Sequence, residues 1–273
     1  RRRVNRAAAD RPIGESTEPR REKQVHSVSD DHHDDDSSDE RATAPSSGLP
    51  GTDLASIAIE IPGSEVVEVP AILPVLPVRD VVVYPGVTMP LAIGRPRSLA
   101  ALEEAGQEGF MLVVSQRDPL TENPGLHDLY EVGTIVRVMR IIDARREGKQ
   151  ALVVGLARAV VTRTLAWEPT LRVQVQPLVE STEPSPSLEA AWRRVVTLAQ
   201  RIIELREDMP DEWKAFIQGI PAPGLLADLV ASNIALSAEQ KIEILEETDP
   251  ERRLALVESH LEKEVTIAET QRS

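Results

Sequence analysis

Apolar positions fall into three regimes along the chain. Before about residue 54 they show no periodicity. From Pro70 to about Ser181 they are mostly Val, Ile and Leu in short runs, the pattern of strands. Beyond Ser187 they recur every three or four residues, the pattern of helices.

The middle runs predict strands over 78–84, 87–93, 110–115, 131–142, 151–165 and 171–179. The last alternates most cleanly. Leu171, Val173 and Val175 share one face, and Arg172, Gln174 and Gln176 share the other, as in a half-buried antiparallel strand. Residues 145–149 read as a hairpin tip in which Gly148 is free to take positive φ. Pro85-Gly86 predicts a turn, and Pro90 belongs at a sheet edge or bulge because it lacks the ladder donor. One helix interrupts the strands, from 96 to about 107, with Leu99, Leu102 and Ala105 on a stripe and Gly106 ending it. Many short strands with one helix predict a compact, barrel-like β domain.

In the last third, Ala191, Val195, Leu198, Ile202 and Leu205 form one helical stripe. A short helix after Pro210 carries Trp213, Phe216 and Ile217, and Pro221 and Pro223 break it. A third helix runs from about Gly224 to Asn233. Ser237 and Gln240 have the capping-box spacing. Asp249 caps a final helix with Pro250 at its first position, followed by Leu254, Val257, Leu261, Val265 and Ala268. That pattern is still running at Ser273, so the natural helix is expected to continue.

Charge changes the picture mainly in the first quarter. Residues 1–29 hold eight Lys or Arg against four acids, and 30–40 hold seven acids with no Lys or Arg. Such a stretch cannot bury enough surface to offset its chain entropy, so 1–69 is expected to be a disordered acidic tail and linker. The Arg-rich start has no apolar run behind it, unlike a secretory signal, and acids appear by Asp10, against an organelle transit peptide. With no initiator Met, the chain reads as a processed form or fragment. His32-His33 among aspartates offers ligands that suit zinc, nickel or manganese, but a segment without an apolar anchor fixes no coordination geometry. A solvated tail is the stronger reading.

Whole-chain composition excludes several chemistries. The 273 residues contain no Cys, which rules out disulfides, Fe–S clusters, thiolate zinc sites and a Cys nucleophile. The net charge is −14, and 51–273 hold 22 basic against 34 acidic residues, which argues against nucleic-acid binding. No apolar run is long enough to span a membrane. Phosphate-loop, dinucleotide-binding, zinc-protease and nucleophile-elbow motifs are all missing, so no catalytic, cofactor or metal residues are assigned. His127 and His260 read as isolated polar residues, Arg79-Asp80 as a local ion pair fixing a strand start, and 155–158 as a bulge. Trp213 and Phe216 are the candidate contacts for an unfolded protein, although packing of their helix into its neighbours is the stronger reading.

Residues 73–105 resemble the opening of the N-terminal domain of Lon, the ATP-dependent serine protease. The resemblance rests on Leu73-Pro74, Leu76-Pro77, Arg79-Asp80, the apolar 81–83, Tyr84-Pro85-Gly86, Pro90-Leu91, Gly94-Arg95 and Ser98. The stretches 114–119, 130–134, 155–158, 226–232 and 241–252 match in order, so the resemblance covers roughly 70–265. It implies an α+β fold: a strand-rich, PUA-like pseudo-barrel over 70–182, then a helical subdomain over 187–273 with its last helix truncated. It also implies capture of unfolded, damaged or tagged proteins and their delivery to the ATPase and protease domains of a hexamer. The ATP and Mg sites and the Ser-Lys dyad of that family lie beyond this chain, so the isolated chain is expected to show no ATPase or peptidase activity and at most weak self-association. The location implied is the bacterial cytoplasm, with an organelle matrix as the alternative. A freestanding binding or adaptor module without partner domains is the other reading, and reading the coding sequence past Ser273 separates the two. The long acidic start departs from the family's usual short one.

Overall fold

The computed structural model describes residues 55–144, 148–181, 183–206, 210 and 212–272. The acidic tail with His32-His33 and most of the hairpin tip lie outside the described residues.

The chain is α+β. β1 (Ser56–Glu60) and β2 (Val66–Pro70) form an antiparallel hairpin whose Ile59 and Val69 enter the barrel core. This corrects the expectation of a linker as far as residue 69. Each strand is only five residues long and alternates for two steps, too short a run to register as a period.

β3 (Ile72–Val78), β4 (Thr88–Ile93), β5 (Phe110–Ser115), β6 (Val132–Ala144), β7 (Gly148–Ala166) and β8 (Arg172–Pro177) make one sheet in the order β4-β7-β6-β5-β3-β8. β8 also pairs with β7, so β3, β5, β6, β7 and β8 close into a ring, with β4 hanging on the outside of β7. Closure removes sheet edges, and the length of β7 permits it: one part pairs with β4 and another with β8. Only β3 and β5 run parallel. Pro90 lies on β4, the edge strand, as its missing donor requires. β5 is apolar on both faces. Leu112 and Val114 fill the barrel, while Met111 and Val113 pack with Leu102 of α1 (Pro96–Ala105).

The expected strand at 78–84 is not one. β3 ends at Val78, and Asp80 takes a left-handed φ of 52° that breaks the extended course. Val82, Val83 and Tyr84 are buried without a ladder. Two carbonyls of this segment accept from side chains instead: the Ser115 hydroxyl donates to Val81 (2.8 Å) and the Thr134 hydroxyl to Val83 (2.6 Å). Nor do Arg79 and Asp80 form an ion pair; Arg79 donates to the Thr121 carbonyl at 3.3 Å. The turn at Gly86 has φ 77°, and Gly148 has φ 93°.

α2 (Pro186–Leu205), α3 (Glu212–Gln218), α4 (Pro223–Asn233), α5 (Ala238–Glu246) and α6 (Pro250–Arg272) form the helical lobe. Their starts follow capping chemistry. Ser185 caps α2, Ser237 and Gln240 close a capping box on α5, and Asp249 accepts from the amides of Glu251 and Arg252. Along α2 the buried stripe is Ala191, Val195, Ala199, Ile202 and Ile203, which meets Leu254, Val257 and Leu261 of α6. Val82, Tyr84 and Val132 of the barrel lobe join this same core, so the two lobes share buried surface.

Candidate functional site

The seam between the lobes is built on buried charge. Between its pairings with Val136 and Ile135 of β6, β7 skips one residue, Leu156, and this bulge lies where 155–158 suggested one. Gly155 lets the strand pass against the 84–86 loop: its amide and carbonyl pair with Val87 and Gly86, and a Cβ there would fall 2.1 Å from the Tyr84 carbonyl oxygen. Beyond the bulge, Arg158 points into the helices. Its guanidinium forks onto Asp228 of α4 at 2.6 and 2.7 Å, and its Nε donates to the Leu245 carbonyl at 2.8 Å. Arg253 of α6 approaches Asp228 at 3.4 Å and Glu180 at 2.7 Å. Arg158, Asp228 and Arg253 are at most 1% exposed. Gly224 admits Glu180, whose Oε2 would meet a Cβ at 2.1 Å. Burial alone would lower the Arg158 pKa, but Asp228, with Glu180 and Tyr84, holds it above its ordinary value. Tyr84 donates to the Lys241 carbonyl at 2.8 Å, and burial pushes its phenol well above the ordinary value. This cluster joins the lobes; Arg158, Asp228 and Arg253 are closed to a partner, and Glu180 is partly exposed.

The aromatic candidates lie elsewhere. α3 rests on the bundle through Ile217, while Trp213 is 40% and Phe216 54% exposed. Their rings meet edge to face, with centroids 5.8 Å apart. α3 thus meets the bundle through Ile217, and its two rings keep part of their surface outward. Seven residues give α3 two turns, and one buried position occupies its inner face. An open groove of about 660 Å³ lies between α5 and α6, lined by Tyr130, Ile242 and Leu256 with Glu239, Glu243 and Glu246. His127 is exposed beside Asp128, and burial holds His260 below its ordinary pKa. Among the described residues no cluster of His, Asp or Glu is placed to hold a metal, and no helix is long and apolar enough to cross a membrane.

Residues 72–263 match the family model of the ATP-dependent protease La (LON) substrate-binding domain. The chain belongs to the Lon substrate-binding domain family. It is 37% identical over 227 residues to a Lon protease of Desulfovibrio desulfuricans, covering 78% of this chain and 26% of that protein. A Lon protease of Geobacter metallireducens is 35% identical over 211 residues, covering 76% of this chain and 26% of that protein. The chain thus spans about a quarter of the length of the curated relatives it matches. The N-terminal domain of the Mycobacterium avium complex Lon protease has a similar fold, with a TM-score of 0.59 at 23% identity over 70% of this chain and 98% of that one.

The seam residues were the ones sequence reasoning missed. Asp228 lies within the Lon-like stretch 226–232, and Arg158 closes the Lon-like stretch 155–158. Their signal was a lone charge set in a run of apolar neighbours, which usually means a buried pair.

Proposed function

We propose that this chain is the substrate-recognition region of a Lon-type ATP-dependent protease. It binds unfolded, damaged or tagged protein segments and delivers them to ATPase and protease domains, and does no catalysis itself. ATP and Mg belong to the ATPase part, and sister subunits of a hexamer and the cytoplasm of a bacterium complete the setting. The observation that carries this reading is the exposed Trp213–Phe216 pair on a short helix, in a chain belonging to this family. Adjacent aromatics present large rigid apolar area at small entropic cost, the kind of anchor that dominates protein contacts. An extended client lays apolar side chains across the two rings.

Fluorescence anisotropy of a labelled, permanently unfolded polypeptide tests this. The W213A/F216A variant is expected to bind about tenfold or more weakly than the parent chain, with an unchanged melting temperature. Equal binding by the two chains would remove the aromatic pair as the contact.

A further inference from the structure

The groove between α5 and α6 has no role in holding the fold. α5 sends Ile244 and Leu245 into the core, and α6 sends Leu254, Val257 and Leu261. What remains between the helices is an apolar floor of Ile242, Leu256 and the Tyr130 ring, open over about 660 Å³. That volume is typical of pockets that hold drug-sized ligands, so a few residues of peptide fit in it.

The rim says what kind of peptide. Glu239, Glu243 and Glu246 follow one another at spacings of four and three, so they stand in a row on one exposed face of α5, about 10 Å long. Glu247 adds a fourth carboxylate to the lining, and Arg252 is the cation set against them. Among the described residues none of these carboxylates forms an ion pair. Burial raises the Glu246 pKa, Arg117 opposes this, and Glu131 adds to the rise, so a further cation would favour its ionised form. The Tyr130 ring already carries one guanidinium, that of Arg117, 4.8 Å from its centroid. Apolar floor, acidic rim and a ring that stacks a guanidinium all complement one chemistry, a basic segment with apolar residues interleaved.

We propose that this groove binds an extended polypeptide segment in which Lys or Arg alternates with apolar residues. Side chains two apart on an extended chain lie about 6.7 Å from each other on one side, so two basic residues reach the glutamate row while the residue between them faces Ile242 and Leu256. That the segment belongs to an unfolded client rests on the function proposed above; the groove then gives such clients a second contact, apart from α3.

The test is fluorescence anisotropy of a labelled pentapeptide alternating lysine and leucine, titrated with the full 273-residue chain. Saturable binding that weakens as salt rises is expected. E243Q/E246Q is expected to bind about tenfold more weakly without a lower melting temperature. A glutamate–leucine peptide and a lysine–serine peptide should each bind at least tenfold more weakly than the lysine–leucine one. No saturable binding to the parent chain, equal binding by E243Q/E246Q, or equal binding of either control peptide would overturn the proposal. Binding lost in W213A/F216A but kept in E243Q/E246Q would place the peptide on α3, overturning the groove and leaving the client reading intact.

Discussion

Asp228 is the residue on which the seam turns. It sits 1% exposed between two buried guanidiniums, and removing it leaves them to share the partly exposed Glu180 as counter-charge. Asp228→Ala is expected to destabilise the chain by about 3–5 kcal/mol, read as a lower urea midpoint at neutral pH. A midpoint within error of the parent would mean the cluster is energetically idle. Glu246 makes the opposite case. Burial raises its pKa first, Arg117 opposes this, and Glu131 adds to the rise. A carboxyl raised in the folded state lets the native chain hold its proton more tightly than the unfolded chain does. Its ionised form therefore costs stability as pH rises from the ordinary glutamate value, about 4.3, through the higher folded value. Glu246→Gln should melt higher than the parent at pH 7, and the difference should close as pH falls toward 4. A gap that persists in acid would point to packing rather than charge. A lone charge among apolar neighbours hinted that Asp228 is buried, but its partners were not legible, because the cluster forms only when β7, α4 and α6 meet.

At the scale of elements, hydrophobic period located most of the fold. The strand at 110–115 and the starts and caps of α5 and α6 agree with the pattern, because local chemistry decides them: apolar runs, Ser and Asp caps, and Pro at the first turn. The 79–87 segment misled because three consecutive apolar residues look like a strand whether ladder or side-chain donors satisfy the backbone. The β1–β2 hairpin was hidden by its shortness; α3 was legible as a short helix, but how far its two rings stay exposed was not. The β7 bulge was visible, but its purpose was not: it aims Arg158 across the seam while Gly155 touches the 84–86 loop. Gly155→Ala places a methyl 2.1 Å from a backbone oxygen, so about 1–3 kcal/mol of stability should be lost, measured by thermal unfolding. An unchanged melting temperature would show that the loop moves aside freely.

At the scale of the molecule, a closed barrel and a helical lobe share one core and one buried ion cluster. The seam fixes α4 and α6, α6 packs along α2, and α3 rests on that frame through Ile217 with its aromatic pair outward. Family membership was legible because its motifs follow the 73–105 turn chemistry and the caps of the helical lobe; the position of a client-binding face was not, because exposure is a tertiary property. The central claim, that α3 is where an unfolded polypeptide lands, is tested most directly by amide hydrogen exchange of the full chain with and without saturating unfolded polypeptide. Slower exchange centred on 212–218, with the β5–β6 ladder unchanged, is the expected result. Protection confined to other segments, or none at saturation, would contradict it.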